Sequence, residues 1–429
     1  MAKIRSERML VISIKKLFGR FDYKVKLNNE GLTIITGPNG YGKSTILKCI
    51  DALSRELDGL IFFNKLDFES LVVEFDNNII EIQKNDTELL INNISVNTQF
   101  FMKGIQHRSY IDRLDEIRRV EFKIDEENYI REYLNYANLK EFDNNKFVFL
   151  NKKNSKKVMK ELTEIKKYLG KIYFIKEQRL IREEDNHHSD NKIINVIEEL
   201  PTKFKKVMSA VMSEYSTVSN QLDSSYPSRL FSNENAITKE EYQHNIDKMT
   251  LRFEKLNKYD LSSMENFDKL QFRDEHAKAL KIYFDDFEVK YRVYEDFINK
   301  LDMYTGIINE RLSFKQIVIS KDLGISIQDA KDPQKNLSLK QLSSGEKQEI
   351  VLFYQLIFET ERNFLLLIDE PEISLHITWQ KKFMDDLMKI IKYKDLNVIV
   401  ATHSPQIINN HWEYQIDLGE LYAEQLDKK

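Results

Sequence analysis

One stretch constrains this chain more than any other. Gly37-Pro38-Asn39-Gly40-Tyr41-Gly42-Lys43-Ser44-Thr45 follows the apolar run Leu32–Thr36 and leads into helical sequence from Ile46 to Leu53. A G-x-x-x-x-G-K-S/T pattern between a strand and a helix predicts a loop whose backbone N–H groups wrap a polyphosphate, with the helix dipole favouring the negative charge. Lys43 is expected to face the β- and γ-phosphates and Ser44 to hold Mg²⁺, with Asn39, Gly40, Gly42 and Thr45 completing the contacts to ATP. The chain has only 12 glycines in 429 residues, so three of them in this register are unlike a chance match.

The flanking sequence reads as an α/β core. Leu10–Ile14, Tyr23–Leu27 and Leu32–Thr36 carry strand patterns, and Leu60–Phe63, Leu71–Phe75 and Ile79–Ile82 are read as further strands of an antiparallel layer. From about 100 the sequence becomes charged and helix-rich. Glu275–Leu312 places Leu280, Phe284, Phe287, Tyr291, Tyr294, Ile298, Leu301, Ile308 and Leu312 in an alternating 4,3 rhythm, which predicts a helix of roughly 55 Å. It is either one helix of a compact helical domain or one side of a short antiparallel coiled-coil arm. A helix over 238–257 would be the partner in the second case, opened by the capping box Thr238-Lys239-Glu240-Glu241. Strand signals return at Gln316–Ile319 and Ile325–Ile327, read as a hairpin. Asn363–Ile368 and Asn397–Ala401 are the continuous apolar runs of a buried parallel sheet.

Those two runs end in polar residues suited to the same chemistry. Leu365–Ile368 closes on Asp369 and Glu370, the first placed for the Mg²⁺ shell and the second for orienting or deprotonating a water. Asn397–Ala401 delivers Thr402, His403 and Ser404, so that an imidazole stands at a strand end within reach of a γ-phosphate or its water. Leu342-Ser343-Ser344-Gly345-Glu346-Lys347-Gln348 precedes a helix over Glu349–Phe358 and makes a second anion-binding helix start.

In this order, the phosphate loop, the helical insertion, Leu342–Glu346, Leu365–His376 and Ala401–Pro405 resemble the ATP-binding-cassette ATPases. Within them the chain is similar to the soluble SMC-like and OLD-like branch, on the strength of Asp369-Glu370-Pro371-Glu372-Ile373-Ser374-Leu375-His376 and Ala401-Thr402-His403-Ser404-Pro405. The resemblance implies an α/β ABC-type P-loop ATPase head with a large helical, short coiled-coil-like insertion. It implies ATP and Mg²⁺ as cofactors, Glu370 and His403 as catalytic residues, and Ser44, Asp369 and Gln178 as metal-shell residues. Ser343 and Gly345 would act in trans, on ATP bound by a second copy of the chain, with Ser374–His376 linking the two sites. Ser344 and Glu346 stand where many relatives have Gly and Gln. The organisation so read is an ATPase lobe over 1–99, a mainly helical insertion over 100–312 with a strand and glutamine loop near 171–180 returning to the head, and a second lobe over 313–429.

Composition narrows the output. Net charge is −4 with 31% charged residues, so DNA would be met through a local patch such as Lys152, Lys156 and Lys160. One cysteine, no apolar leader and no run near the roughly 20 residues of a membrane span lead to the expectation of a cytoplasmic chain with no membrane partner. Residues 404–429 after His403 leave no room for the nuclease domain of OLD-type enzymes, so no nuclease activity is expected. The acidic and histidine-rich stretch Glu183–Asp190 reads as a solvated loop rather than a metal site. Asn220–Leu230 resembles a segment of stand-alone ATPase subunits in PARIS-type and Septu-type anti-phage systems. That resemblance implies an ATP-dependent homodimer controlling a separately encoded effector, a nuclease. The alternative is an SMC-like DNA-repair or DNA-binding ATPase.

Overall fold

The computed structural model describes residues 10–28, 30–75, 78–85, 88–97, 152–184, 192–262 and 272–427. Their contacts divide them into two compact units. One is built from residues up to Glu177 together with those from Thr360 onward, the other from Gln178–Glu184 and Lys192–Glu359. This division runs along different lines from the three sequence segments. The hairpin and the signature helix, which the sequence groups with the second lobe, pack among the long helices through buried apolar and ionic contacts.

The first unit contains a five-stranded, wholly parallel sheet. Its spatial order is Gln415–Asp417, Leu32–Thr36, Asn397–Ala401, Leu365–Asp369 and Ile172–Ile175. Leu32–Thr36 and Leu365–Asp369 are buried at every position, which explains why they read as unbroken apolar runs rather than alternating ones. A six-stranded antiparallel sheet formed within residues 10–97 packs beside it, with Ile12, Ile14, Leu71, Val73 and Ile82 in a core shared with the helix Lys43–Leu53.

One strand expectation is corrected. Leu60–Phe63 lies on a helix, Glu56–Lys65, not on a strand. Four apolar residues carry too little periodicity to separate the two states. Leu60 and Phe63 are buried at helical spacing, and a methyl group at Gly59 would meet the Ala52 carbonyl oxygen at 1.9 Å. That close approach seats Glu56–Lys65 on the neighbouring helix Lys43–Leu53.

The second unit is dominated by three helices, Val196–Ser232, Lys239–Asn257 and Ala277–Arg311. Ala277–Arg311 matches the heptad reading, and both of the other helices pack on it. Thr238 and Glu241 form the expected capping box. The punctuated stretch Asn220–Leu230 is the end of the first helix. There Arg229 donates to both carboxylate oxygens of Asp286 and to the Leu222 carbonyl, bracing a helix that Pro227 deprives of one backbone bond. Lys315–Ser320 and Gly324–Asp329 form the expected hairpin. Phe204, Tyr304, Tyr354 and Phe358 stack around one centre with ring centroids 5.0–5.6 Å apart.

The end of Ala277–Arg311 is pinned to the helix Ser344–Tyr354 by a buried ion pair, with Arg311 Nε 2.6 Å from Glu349 Oε1 and the guanidinium over the Phe353 ring. Removing one partner strands the other charge in the core. Arg311→Ala is therefore expected to destabilise this unit by about 3–5 kcal/mol, whereas the double change Arg311→Met with Glu349→Leu costs far less. Urea unfolding of the single and double variants measures the difference.

Candidate functional site

The parallel register sets the site. Asp369 lies beside Ala401, and Ala401 beside Ile35, so three strands end at the same level. The loops that follow them, Gly37–Gly42, Glu370–His376 and Thr402–Ser404, therefore leave the sheet together at its carboxyl edge, the usual ligand side of such sheets.

In the phosphate loop, Gly37, Gly40 and Gly42 all have positive φ, and Gly42 at +92° is the residue from which the helix Lys43–Leu53 starts. Lys43 is 5% exposed and donates to the carbonyl oxygens of Gly37 at 2.9 Å and Pro38 at 3.4 Å, so its ammonium is held inside the loop's curve. Ser44 Oγ donates to Asp369 Oδ1 at 2.8 Å, joining two motifs 325 residues apart. Burial pushes the Asp369 carboxyl above its usual range, an effect that the Ser44 hydroxyl partly offsets. A buried ammonium, a hydroxyl–carboxylate pair, left-handed glycines and a helix start are together the donor set that a Mg²⁺–nucleoside triphosphate requires.

Glu370 is buried in a left-handed conformation (φ +44°), an outlier for a side chain of this size. His403 Nδ1 lies 2.5 Å from its Oε2 and 3.3 Å from Glu372 Oε1. Burial, and then the neighbouring Glu372 carboxylate, push the Glu370 carboxyl up to about 7, while His403 acts in the opposite direction. Glu370, Glu372 and His403 each bring one ligand atom to within 4.8 Å of the others. Hydrogen bonds account for that closeness, because Glu372 Oε1 accepts from Thr402 Oγ1 (2.5 Å), His403 N (3.0 Å) and Ser404 N (3.0 Å).

Ser343 and Gly345 lie in the second unit. Ser343 caps the helix Ser344–Tyr354, accepting from Glu346 N, while Glu346 Oε2 accepts from Ser343 N at 2.7 Å. Lys315 Nζ sits 2.9 and 3.0 Å from the two Glu346 oxygens. Burial alone would raise this carboxyl, but Lys315 and the Ser343 donors hold it below its usual range. The Glu at 346 thus has a local reason, as it closes a capping box and pairs a lysine. Gln178 is exposed, follows the strand Ile172–Ile175 and also belongs to the second unit.

Two parts of the phosphate-loop surroundings escaped the sequence reading. Phe18, in the turn between strands Leu10–Leu17 and Phe21–Lys26, is 37% exposed with φ +55°, and its ring would lie 3.6 Å from a methyl group at Gly42. Leu418–Asp427, to which the sequence assigns no element, is a helix. Asp417 before it accepts from Thr36 Oγ1 (2.8 Å) and Gly419 N (2.7 Å), and Tyr422 packs on Phe21 and Tyr41. The alternation Tyr414, Ile416, Leu418 was the available signal, but it spans too few residues to stand out. The stretch 185–190 and the residues 98–151 lie outside the described residues, as do the side chains of Lys152, Lys153 and Lys156.

Comparison with known proteins gives three kinds of likeness. The family model described as AAA ATPase domain matches residues 12–408. The spermidine/putrescine import ATP-binding protein PotA of Mycoplasma genitalium is 22% identical over 412 residues, covering 90% of this chain and 69% of that protein. The probable iron chelatin transport ATP-binding protein of Helicobacter pylori is 32% identical over 86 residues, 20% of this chain and 32% of its own length. Among solved structures, the Smc head domain with an extended coiled coil from Pyrococcus furiosus, bound to the C-terminal domain of ScpA, aligns with 94% of this chain and 91% of its own. Its identity is 12% and its TM-score 0.38. The SMC head domain from Thermotoga maritima aligns over the same shares at 13% identity and TM-score 0.35.

The phosphate-loop geometry orders two glycine changes. A methyl group at Gly40 (φ +83°) meets nothing within 4 Å, so Gly40→Ala is expected to cost about 1 kcal/mol of left-handed strain. At Gly42 the same methyl would approach Leu17 Cδ2 to 2.7 Å, so Gly42→Ala is expected to cost more and to displace the turn carrying Phe18. Thermal melts of the two variants check the order.

Proposed function

The chain belongs to the AAA ATPase domain family, and on that premise we propose that it is the ATP-binding and ATP-hydrolysing subunit of a bacterial anti-phage defence complex. In this reading it closes in pairs around ATP and so controls a separately encoded effector, a nuclease. The observation that carries the ATPase part is the meeting of Lys43, Ser44–Asp369 and Glu370–His403 at one sheet edge.

Lys43 and the N–H groups of Asn39–Thr45 bind the phosphates, and Phe18 offers an exposed ring beside the loop on which a nucleobase stacks. Ser44 and Asp369 would hold Mg²⁺, with Gln178 as a further shell residue, and the ion would supply charge neutralisation to the phosphates. Glu370 orients the water and takes its proton as the oxygen attacks the γ-phosphorus and the bond to the β-phosphate oxygen breaks. His403 keeps the Glu370 carboxylate aligned. Ser343 and Gly345 of a second copy complete the anion contacts, which makes ATP the agent that joins two subunits. The effector role is supported by the likeness of Asn220–Leu230 to defence ATPases and by the rigid brace that Arg229 and Asp286 give this segment.

One observation favours a second reading, an SMC-like DNA-binding ATPase. The helix Lys152–Leu169 exposes Lys157, Lys160, Lys166 and Lys167. DNA-stimulated hydrolysis with a steep salt dependence would support it, and no DNA binding at low salt removes it.

Lys43→Ala is expected to weaken ATP binding at least about tenfold, as loss of a charged contact does. Phe18→Ala is expected to cost about tenfold through lost stacking. Glu370→Gln is expected to keep binding, lower kcat about 100-fold or more and accumulate ATP-bound dimer on a sizing column. Unchanged phage protection and effector assembly in cells carrying Lys43→Ala or Glu370→Gln would sink the defence reading. Normal kcat in Glu370→Gln would sink the catalytic assignment.

A further inference from the structure

We propose that Glu372 is a positioning residue for hydrolysis, holding the Thr402–Ser404 loop so that the His403 imidazole meets Glu370. The proposal rests on the hydrolytic reading of this site. Its basis is an asymmetry in one buried side chain. Glu372 is 6% exposed, and a carboxylate that deep must be compensated by donors or by charge.

Three donors to it come from one short loop. Glu372 Oε1 accepts from the Thr402 hydroxyl at 2.5 Å and from the backbone N–H groups of His403 and Ser404, both at 3.0 Å. Glu372 Oε2 is enclosed without a hydrogen-bond partner among the described residues. Thr402, fully buried, adds a second link by accepting from Ser404 N at 3.0 Å. The loop thus wraps a single oxygen atom, and the residue it presents outward is His403, whose side chain is 53% exposed.

Several other contacts belong to the same clamp. Glu370 N donates to Ala401 O at 2.9 Å, fixing the start of the acidic turn against the strand that carries His403. Leu375 N donates to Glu372 O at 2.9 Å, and Ser404 Oγ donates to Gln380 Oε1 at 2.7 Å, closing the far side. Glu370 and Ser374 both sit at positive φ, so the turn between them is held in a conformation it would not keep alone. Without Glu372, His403 N and the Thr402 hydroxyl lose this acceptor and Ser404 N keeps only Thr402 Oγ1, so the loop is left to its flanking contacts with Ile35 O and Gln380 Oε1 to place the imidazole 2.5 Å from Glu370 Oε2.

This separates Glu372 from a residue that merely stabilises the fold. Loss of position should appear in kcat, because the His403–Glu370 contact acts on the reacting water, while ATP affinity depends on Lys43 and the phosphate loop. Gln keeps an acceptor oxygen for the loop but buries an amide NH₂ in the place of Oε2, so it should rescue part of what Ala loses.

The test measures kcat, KM and ATP dissociation constants on the full chain for wild type, Glu372→Ala, Glu372→Gln, Thr402→Val, His403→Ala and the Glu372→Ala/His403→Ala double variant. Glu372→Ala is expected to lower kcat about 100-fold with KM and ATP affinity within about threefold. Glu372→Gln and Thr402→Val, which stay informative if the alanine variant folds poorly, should fall about three- to tenfold in kcat alone. The double variant should match His403→Ala within about threefold, since a residue that acts through another adds nothing once that partner is gone. The proposal is overturned by an unchanged kcat in Glu372→Ala and Glu372→Gln, or by a double variant at least about tenfold below His403→Ala. Failure of the underlying reading looks different: the wild-type chain then binds ATP without hydrolysing it, Glu370→Gln changes nothing, and both ideas fall together.

Discussion

The hydrogen bond from Ser44 to Asp369 exists only because three parallel strands end in register. A parallel sheet spaces its strands about 4.8 Å apart, so residues at the same level on neighbouring strands are within side-chain reach wherever they fall in the sequence. Ile35, Ala401 and Asp369 share a level. From it follow the phosphate loop, the His403 loop and the Glu370 turn, each placed by the strand beneath it. A slip of one residue in any of these strands would turn its side chains to the other face and separate Ser44 from Asp369. The complete burial of Leu32–Thr36 and Leu365–Asp369 makes that slip costly, so the loops are held in place by the apolar packing of the strands that lead into them.

Much of this was legible in the sequence because it depends on local signals. The phosphate loop announces itself through glycine spacing, Thr238–Glu241 through capping chemistry, and Ala277–Arg311 through a heptad rhythm broken at one place near Thr305. The buried strands were legible because parallel strands lack alternation. Leu60–Phe63 was not, since four apolar residues fit a helix or a strand and the deciding factor, the Gly59–Ala52 approach, is tertiary. Phe18 was hidden for a similar reason. A phenylalanine in a turn carries no pattern, and only its nearness to Gly42 gives it meaning. Asp417 and the helix after it carry no local signal because their partners, Thr36 and Phe21, lie about 400 residues earlier.

Glu346 shows how a departure from a family pattern is read physically. In sequence it is an acidic residue in place of an amide, and raises a question about the Ser343–Gly345 helix start. In the structure it closes the Ser343 capping box and meets Lys315, so its charge is compensated where it arises. Two turns of the same helix therefore carry acidic residues paired with basic ones, Glu346 with Lys315 and Glu349 with Arg311. The second pair lies at the end of the long helix Ala277–Arg311, and the first at the start of the strand that follows it. The helix that presents Ser343 and Gly345 is thereby tied, at its first turn and again three residues on, to the chain segment that leaves the long helix.

Glu372 extends the same logic to the carboxyl edge of the parallel sheet. Carboxylates beside each other are costly unless each is committed to different donors. Asp369 takes the Ser44 hydroxyl, Glu370 takes the His403 imidazole, and Glu372 takes the backbone of the loop that carries that imidazole. Asp369 thus draws its donor from the helix that follows Leu32–Thr36, whereas Glu370 and Glu372 both draw theirs from the loop after Asn397–Ala401, one from a side chain and the other from the backbone and the Thr402 hydroxyl. The parallel register brings the three carboxylates of Asp369-Glu370-Pro371-Glu372 against the loops that leave the same sheet edge, where each finds a donor that its own sequence neighbours do not supply.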